Sequence, residues 1–237
     1  MQKKGLHMLR QRLNMIVAAV GLMLVIASCS GCYKIDGVVE TFGYEGRDLY
    51  LIEYLPSRIT KFDSCKVNHG KFQMRGVIDS TRLVFLCKGD RPIIPIYMEK
   101  GRTKVTIMPT EMTASGTRQN DLFYSFLQKK IAIDNRFEDL SQRRSSMSRS
   151  GFDSRKMELV QDSLRMIVDE CEEMICSFMD QNYNEPAAVG VFMMLSAGPS
   201  TEISPLLRRI LDSAPKEFLD KSYIKYYTGR VNYARID

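Results

Sequence analysis

Six cysteines and two histidines are the side chains of this 237-residue sequence best suited to nucleophilic, redox or metal chemistry. Cys29-Ser30-Gly31-Cys32 is a Cys-x-x-Cys pair, a spacing that can lower a thiol pKa and support disulfide exchange. His7 lies near the N-terminus, which leaves His69 for any Ser-His-Asp, Cys-His or histidine-zinc arrangement further along. His69 stands in Val67-Asn68-His69-Gly70-Lys71, where Asn and Gly spell a tight turn, so a solvated turn histidine is expected there. The acidic neighbours Asp169-Glu170 and Glu172-Glu173 fall on the polar side of a helical pattern. Carboxylates that catalyse share a cleft that separates their pKa values, which a solvated helix face does not provide. No Gly-rich phosphate loop ending in Lys-Ser/Thr and no Gly-x-Ser-x-Gly elbow occurs. Tyr223, Tyr226 and Tyr227 cluster near the C-terminus, either as an aromatic contact patch for a partner or as core. No catalytic residue, cofactor site or metal site is expected from these patterns.

The first thirty residues give Cys29 a different use. Lys3, Lys4, Arg10 and Arg12 precede Met15 to Ala27, a run without charge or proline, and no acid appears before Asp36. A basic start, a short apolar stretch and small residues before a cut define a secretory signal peptide; thirteen apolar residues fall short of the roughly 20 needed to span a bilayer. Ile26-Ala27-Ser28-Cys29 resembles the bacterial lipobox, which implies cleavage after residue 28 and acylation of Cys29. An acylated Cys29 has no thiol, so the lipid reading displaces the redox one. Cys32 as the lipidated residue would put Cys29 in the aliphatic position, a poorer fit. Two or more acyl chains hold a protein to a membrane stably, and the expected address is the bacterial cell envelope, on the outer membrane facing the periplasm.

Removing residues 1–28 leaves 209 residues and takes away four basic side chains and no acid, so the formal net charge falls from +6 to +2. That balance gives no reason to expect nucleic acid or an anionic surface as a partner. With Cys29 acylated, Cys32, Cys65, Cys87, Cys171 and Cys176 remain, an odd number that can pair only in part. Cys171 and Cys176 are about 140° apart around a helix and point to different faces. Cys65 and Cys87 lie on expected strands, as core residues or as a bridge.

The elements that would position these groups change character once along the chain. Short alternating segments run from Ile35 to Met108, at Ile35–Val39, Leu49–Tyr54, Ile59–Val67, Phe72–Val77, Leu83–Cys87, Ile93–Met98 and Val105–Met108, separated by Gly, Asn and Asp turns. Seven such strands predict an antiparallel β-sandwich or small barrel over residues 33–117. After Ser115-Gly116-Thr117 the period becomes helical, so the fold class is α+β, with a mostly helical region over 118–237. The first helix is expected from Asn120 to Leu140. Residues 141–151, rich in Ser and Arg, read as a mobile connector whose arginines could meet lipid phosphates. A long helix follows, opened by Asp153 or Ser154 and striped by Met157, Val160, Leu164, Ile167, Cys171, Met174 and Phe178. Shorter helices are expected at Ala187–Ala197 behind Pro186, at Leu206–Ser213 capped by Ser204, and as one piece at Pro215–Tyr227.

Ile35-Asp36-Gly37, Leu49-Tyr50-Leu51, Asp63-Ser64-Cys65-Lys66-Val67, Gly70-Lys71-Phe72, Arg75-Gly76-Val77, Met98-Glu99-Lys100-Gly101, Ser115-Gly116-Thr117 and Asn120-Asp121 together carry a family likeness. In this order they resemble an uncharacterised β-rich domain of exported Bacteroidetes lipoproteins, usually fused to a thioredoxin-like domain of thiol:disulfide interchange proteins. The likeness extends from Ile35 to Leu127. No Trp-Cys-x-x-Cys site follows it, and tryptophan is absent, so no redox residue carries over. What the resemblance and the motifs jointly imply is a membrane-anchored envelope lipoprotein acting as a non-catalytic binding or assembly module, with an envelope protein as a possible partner. The alternative is an accessory to a thioredoxin-like thiol–disulfide exchange system.

Overall fold

The computed structural model describes residues 31–55, 57–150, 154–198 and 202–231. The proposed leader and Cys29 therefore lie outside the described residues. Among these described residues, eight strands come first: β1 (Cys32–Val39), β2 (Asp48–Leu55), β3 (Arg58–Lys66), β4 (Lys71–Val77), β5 (Arg82–Lys88), β6 (Arg91–Met98), β7 (Gly101–Ile107) and β8 (Met112–Ser115). Six helices follow: α1 (Arg118–Ser150), α2 (Ser154–Asn182), α3 (Pro186–Leu195), α4 (Pro205–Ser213), α5 (Lys216–Leu219) and α6 (Ser222–Arg230). The fold is α+β, as the change of period predicts.

The strands form two four-stranded sheets, β4-β1-β7-β8 (sheet A) and β3-β2-β5-β6 (sheet B). All pairs are antiparallel except β1 with β7, which is parallel. The domain is thus an antiparallel-rich sandwich, as expected, with one parallel pair. The chain leaves sheet A after β1 and returns twice, so β1 ends up between β4 and β7, and β7 arrives in β1's own direction. The short eighth strand, Met112–Ser115, completes sheet A beyond the seven expected. Alternation places Ile35, Phe72, Met74, Val105 and Ile107 inward, against Leu49, Leu51, Val84, Leu86, Ile94 and Ile96 of sheet B. Phe72 lies directly over Gly37, where a Cβ would come within 2.0 Å of its ring, so that position has no room for a side chain.

The same core continues into the helices through Phe123, Phe126, Met179, Phe192, Phe218 and Tyr227. Helix α1 runs to Ser150, so the stretch expected as a connector is helical as far as the described residues extend. The physical reason is its partner. Half-buried Ser141, Arg144 and Met147 continue the stripe that faces α2, and Arg144 Nη1 donates to Gln161 Oε1 at 2.7 Å. The Ser145 and Ser146 hydroxyls bond back to the carbonyls of Ser141 and Arg143, contacts that a helix tolerates but that do not favour it. The Arg136–Glu170 pair at 2.8 Å ties the hairpin on its solvent side. Ser204 caps α4 through the Leu207 N–H, with Pro205 at the first turn, as expected. The last segment is two helices rather than one, because Lys221 is extended between α5 and α6. Phe218 and Ile224 would lie about 120° from facing the same way on a continuous helix; the break lets both reach the core, where neither is exposed.

Docking of the helices onto the sandwich depends on Asn120, which is fully buried. Its Oδ1 accepts from the Tyr97 N–H at 2.9 Å, and its Nδ2 donates to the Tyr97 carbonyl at 2.7 Å and to Thr117 Oγ1 at 2.8 Å. One side-chain amide thus takes the place of a neighbouring strand along the edge of β6. Glu99 accepts from the Gln119 N–H at 2.8 Å and satisfies a first-turn donor of α1, and the Tyr124 hydroxyl donates to the Pro95 carbonyl at 2.7 Å. On the far side, the Tyr97 ring fills the space left by Gly190, where a Cβ would come within 2.0 Å of the Tyr97 hydroxyl. Replacing Asn120 with Ala strands two buried backbone groups at about 1–3 kcal/mol each, so a loss of several kcal/mol in urea unfolding is expected. Asn120→Asp should cost a similar amount, because a carboxylate cannot donate to the Tyr97 carbonyl. Stability of Asn120→Asp equal to that of the wild type would show that the amide does not act as a strand substitute.

Candidate functional site: a cationic sheet face

Burying one face of sheet A obliges alternate residues to point the other way, and the strand register sorts them into rows. Lys34 lies between Arg75 on β4 and Arg102 on β7. One step along, Asp36 lies between Gln73 and Lys104; one further, Val38 lies between Lys71 and Thr106. The outer face therefore presents Lys34, Lys71, Arg75, Arg102 and Lys104 around a single carboxylate, Asp36. A groove of about 610 Å³ runs across this face, lined by Asp36, Lys71, Gln73, Arg102 and Lys104, with Lys66 at its rim.

Asp36 organises the centre. Its Oδ1 accepts from Gln73 Nε2 at 2.5 Å, its Oδ2 accepts from Arg102 Nε, and Lys34 Nζ stands 3.6 Å away. Burial alone would raise the carboxyl pKa. The Gln73 and Arg102 hydrogen bonds, with the charges of Arg102 and Lys34, outweigh it and hold the group below the usual carboxylate range. One negative charge so shared leaves an excess of positive charge, and Lys71, Arg75 and Lys104 make no ion pair among the described residues. Lys66 at the rim is 3.4 Å from Asp48. The arrangement attracts anions. It was not legible from a net charge of +2, because acids elsewhere cancel these cations in the sum. The signal that could have found it is the period-two spacing of Lys71-Gln73-Arg75 and Arg102-Lys104, combined with knowledge of which strands lie side by side.

The residues singled out from sequence are dispersed. Cys29 lies outside the described residues. His69 sits in the turn before β4 with φ of +49°, and it is exposed. Its backbone N–H and that of Gly70 donate to the Glu45 carboxylate at 3.0 and 3.1 Å, a turn-closing role. Glu170 and Glu173 pair with Arg136 and Arg209 and share no cleft. Tyr227 is buried against Phe192, the Tyr223 hydroxyl lies 3.2 Å from Ser196 Oγ, and Tyr226 alone of the three is substantially exposed. Among the described residues, no group of three or more His, Cys, Asp or Glu is placed to hold a metal ion, and no helix is long and apolar enough to cross a membrane.

Cys65, Cys87, Cys171 and Cys176 are unbridged. Cys65 pairs with Leu49 and faces inward, whereas Cys87 pairs with Tyr50 on the outer side of sheet B, so the sheet itself separates them. Cys171 is influenced by Lys130 and Asp134 of α1 but Cys176 by Arg209 of α4, the two-face arrangement that helical geometry predicts. Burial pushes the Cys65 thiol up to about 11 and raises Cys87, Cys171 and Cys176 as well. Thiols in this state react poorly, since the thiolate is the nucleophile. Alkylation of these four cysteines with iodoacetamide near neutral pH is expected to be at least roughly tenfold slower in the folded chain than in urea. One of them reacting at the unfolded rate would identify an activated thiol.

No curated protein and no solved structure matches the chain. Residues 33–123 match the family described as "Domain of unknown function (DUF4369)". That span contains the whole cationic face and closes just beyond Asn120, so it takes in both the sandwich and the residue that docks the helices on it. The similarity to that family is confined to the β-rich N-terminal part and the start of α1.

Proposed function

We propose that this chain is a cell-envelope lipoprotein, held to a membrane by acyl chains on Cys29, that works as a non-catalytic binding or assembly module. The observation that carries the binding role is the cationic face of sheet A: five basic side chains, fixed in rows by strand pairing, around one carboxylate. Such a surface suits recognition, since it presents charge in a set geometry without an acid–base pair in a closed cleft. The anchor is supported by the apolar run ending in Ile26-Ala27-Ser28-Cys29, and by the likeness of the β-rich domain to that of exported Bacteroidetes lipoproteins. The outer membrane, facing the periplasm, is the proposed address. Service to a thioredoxin-like exchange system is the weaker reading, because burial disfavours thiolate formation at Cys65, Cys87, Cys171 and Cys176.

Labelling of expressing cells with radioactive palmitate tests the anchor. Wild type is expected to incorporate label and Cys29→Ala to lose it while accumulating as a misprocessed or released form. Equal labelling of the two would refute lipidation at Cys29. Affinity purification from native membranes tests the module. A specific envelope partner lost when Lys71 and Lys104 are both changed to Gln is the expected result, and a partner retained by that variant would move the binding surface away from sheet A.

A further inference from the structure

We infer that the anchor-proximal row of the cationic face, Lys34, Arg75 and Arg102, takes anionic phospholipid headgroups as its ligand, so that it sets the orientation of the protein on its own membrane and leaves Lys71 and Lys104 to a partner. This deepens the lipoprotein reading and rests on it. Lys34 is five residues from Cys29, so their backbones lie within about 18 Å even if the chain between them is fully extended. Register then puts Arg75 and Arg102 on either side of Lys34. The row of cations nearest the anchor thus crosses three strands, roughly 10 Å at the usual interstrand spacing.

The residues around this row fit the same partner. Val77 pairs with Cys32 at the same end of the sheet and is 82% exposed, an apolar side chain where the anchor enters. Four carboxylates near this end are engaged: Asp36 by Gln73, Arg102 and Lys34, Asp79 by Arg82 at 3.1 Å, Glu99 by the Gln119 N–H and Asp63 by the Tyr33 hydroxyl. Arg75 is left without an ion pair among the described residues. Acyl chains hold a protein at a surface but leave it free to swivel, and a basic patch is the common second signal. Here the patch is a plane of folded sheet rather than a flexible tail. Laying it on the headgroups turns sheet B toward the aqueous side.

The test uses the chain from residue 29 onward, without the apolar leader and carrying Cys29→Ser, so that neither acylation nor the leader contributes and the palmitate experiment remains a separate measure of the anchor. Sedimentation with phosphatidylcholine vesicles containing about 30% phosphatidylglycerol is expected to show saturable binding, lost on pure phosphatidylcholine and in about 1 M salt. Changing Lys34, Arg75 and Arg102 together to Gln should lower the partition coefficient about a hundredfold, near fivefold per charge. Asp36→Asn should raise it by a similar single step, a gain that a misfolded chain would not give. Unchanged binding by the triple variant, or no response to phosphatidylglycerol, would overturn the inference. Displacement by millimolar glycerol phosphate would reassign the groove to a soluble anion, and a short DNA duplex binding more tightly than the vesicles would reassign the face to nucleic acid; either result also overturns it.

Discussion

The fold depends on one side-chain amide. Asn120 supplies β6 with the acceptor and donor that a ninth strand would have supplied, at Tyr97, and it does so from the first turn of α1. An edge strand with open N–H and C=O groups invites pairing with other chains; an asparagine held in place by Thr117 closes that edge at the point where the helices begin. The helices that follow dock through this contact together with Glu99–Gln119, Tyr124–Pro95 and Tyr97–Ala187. The Tyr97 ring passes beyond the sheet into the space at Gly190, its hydroxyl donates to the Ala187 carbonyl, and α3 becomes the pillar around which Phe192, Phe218 and Tyr227 pack.

That docking site also decides which surfaces remain open. The helices take the β6–β8 side of the sandwich, where Tyr97 and Tyr124 meet them, and leave the outer face of sheet A uncovered. A sheet with one buried face must place something soluble on the other, and here the charged side chains in its rows are five cations and one carboxylate. Balanced signs would satisfy solubility equally well, so a face with so one-sided a charge is more than the fold requires. The central carboxylate is not a counterweight to the whole field; it fixes Gln73, Arg102 and Lys34 in place and leaves the outer cations free to act on a ligand.

The cysteines illustrate the opposite case, in which groups capable of chemistry are kept from it. Sheet B separates Cys65 from Cys87, and α2 separates Cys171 from Cys176. Each thiol is raised by burial, so these side chains behave as small apolar residues in a packed interior. The Cys29-x-x-Cys32 spacing and the family likeness invited a redox reading; the placement of these four argues for packing.

By itself the sequence determined what depends on local periodicity. Seven of the eight strands, the switch from period two to period 3.6 after Gly116, the Ser204 cap and the turn role of His69 all follow from side-chain type over a few residues. It misjudged 141–150, because a polar Ser/Arg tract has no helical signal of its own and becomes helical by lying along α2. It missed the break at Lys221, which exists so that Phe218 and Ile224 can reach one core. Strand order, the parallel β1–β7 pair and therefore the cationic face were decided only by tertiary structure. Lys34, Lys71, Arg75, Arg102 and Lys104 are spread over seventy residues of chain, and a net charge sums them with distant acids. Only hydrogen-bonded register brings them into rows, and an electric field depends on where charges stand rather than on how many there are.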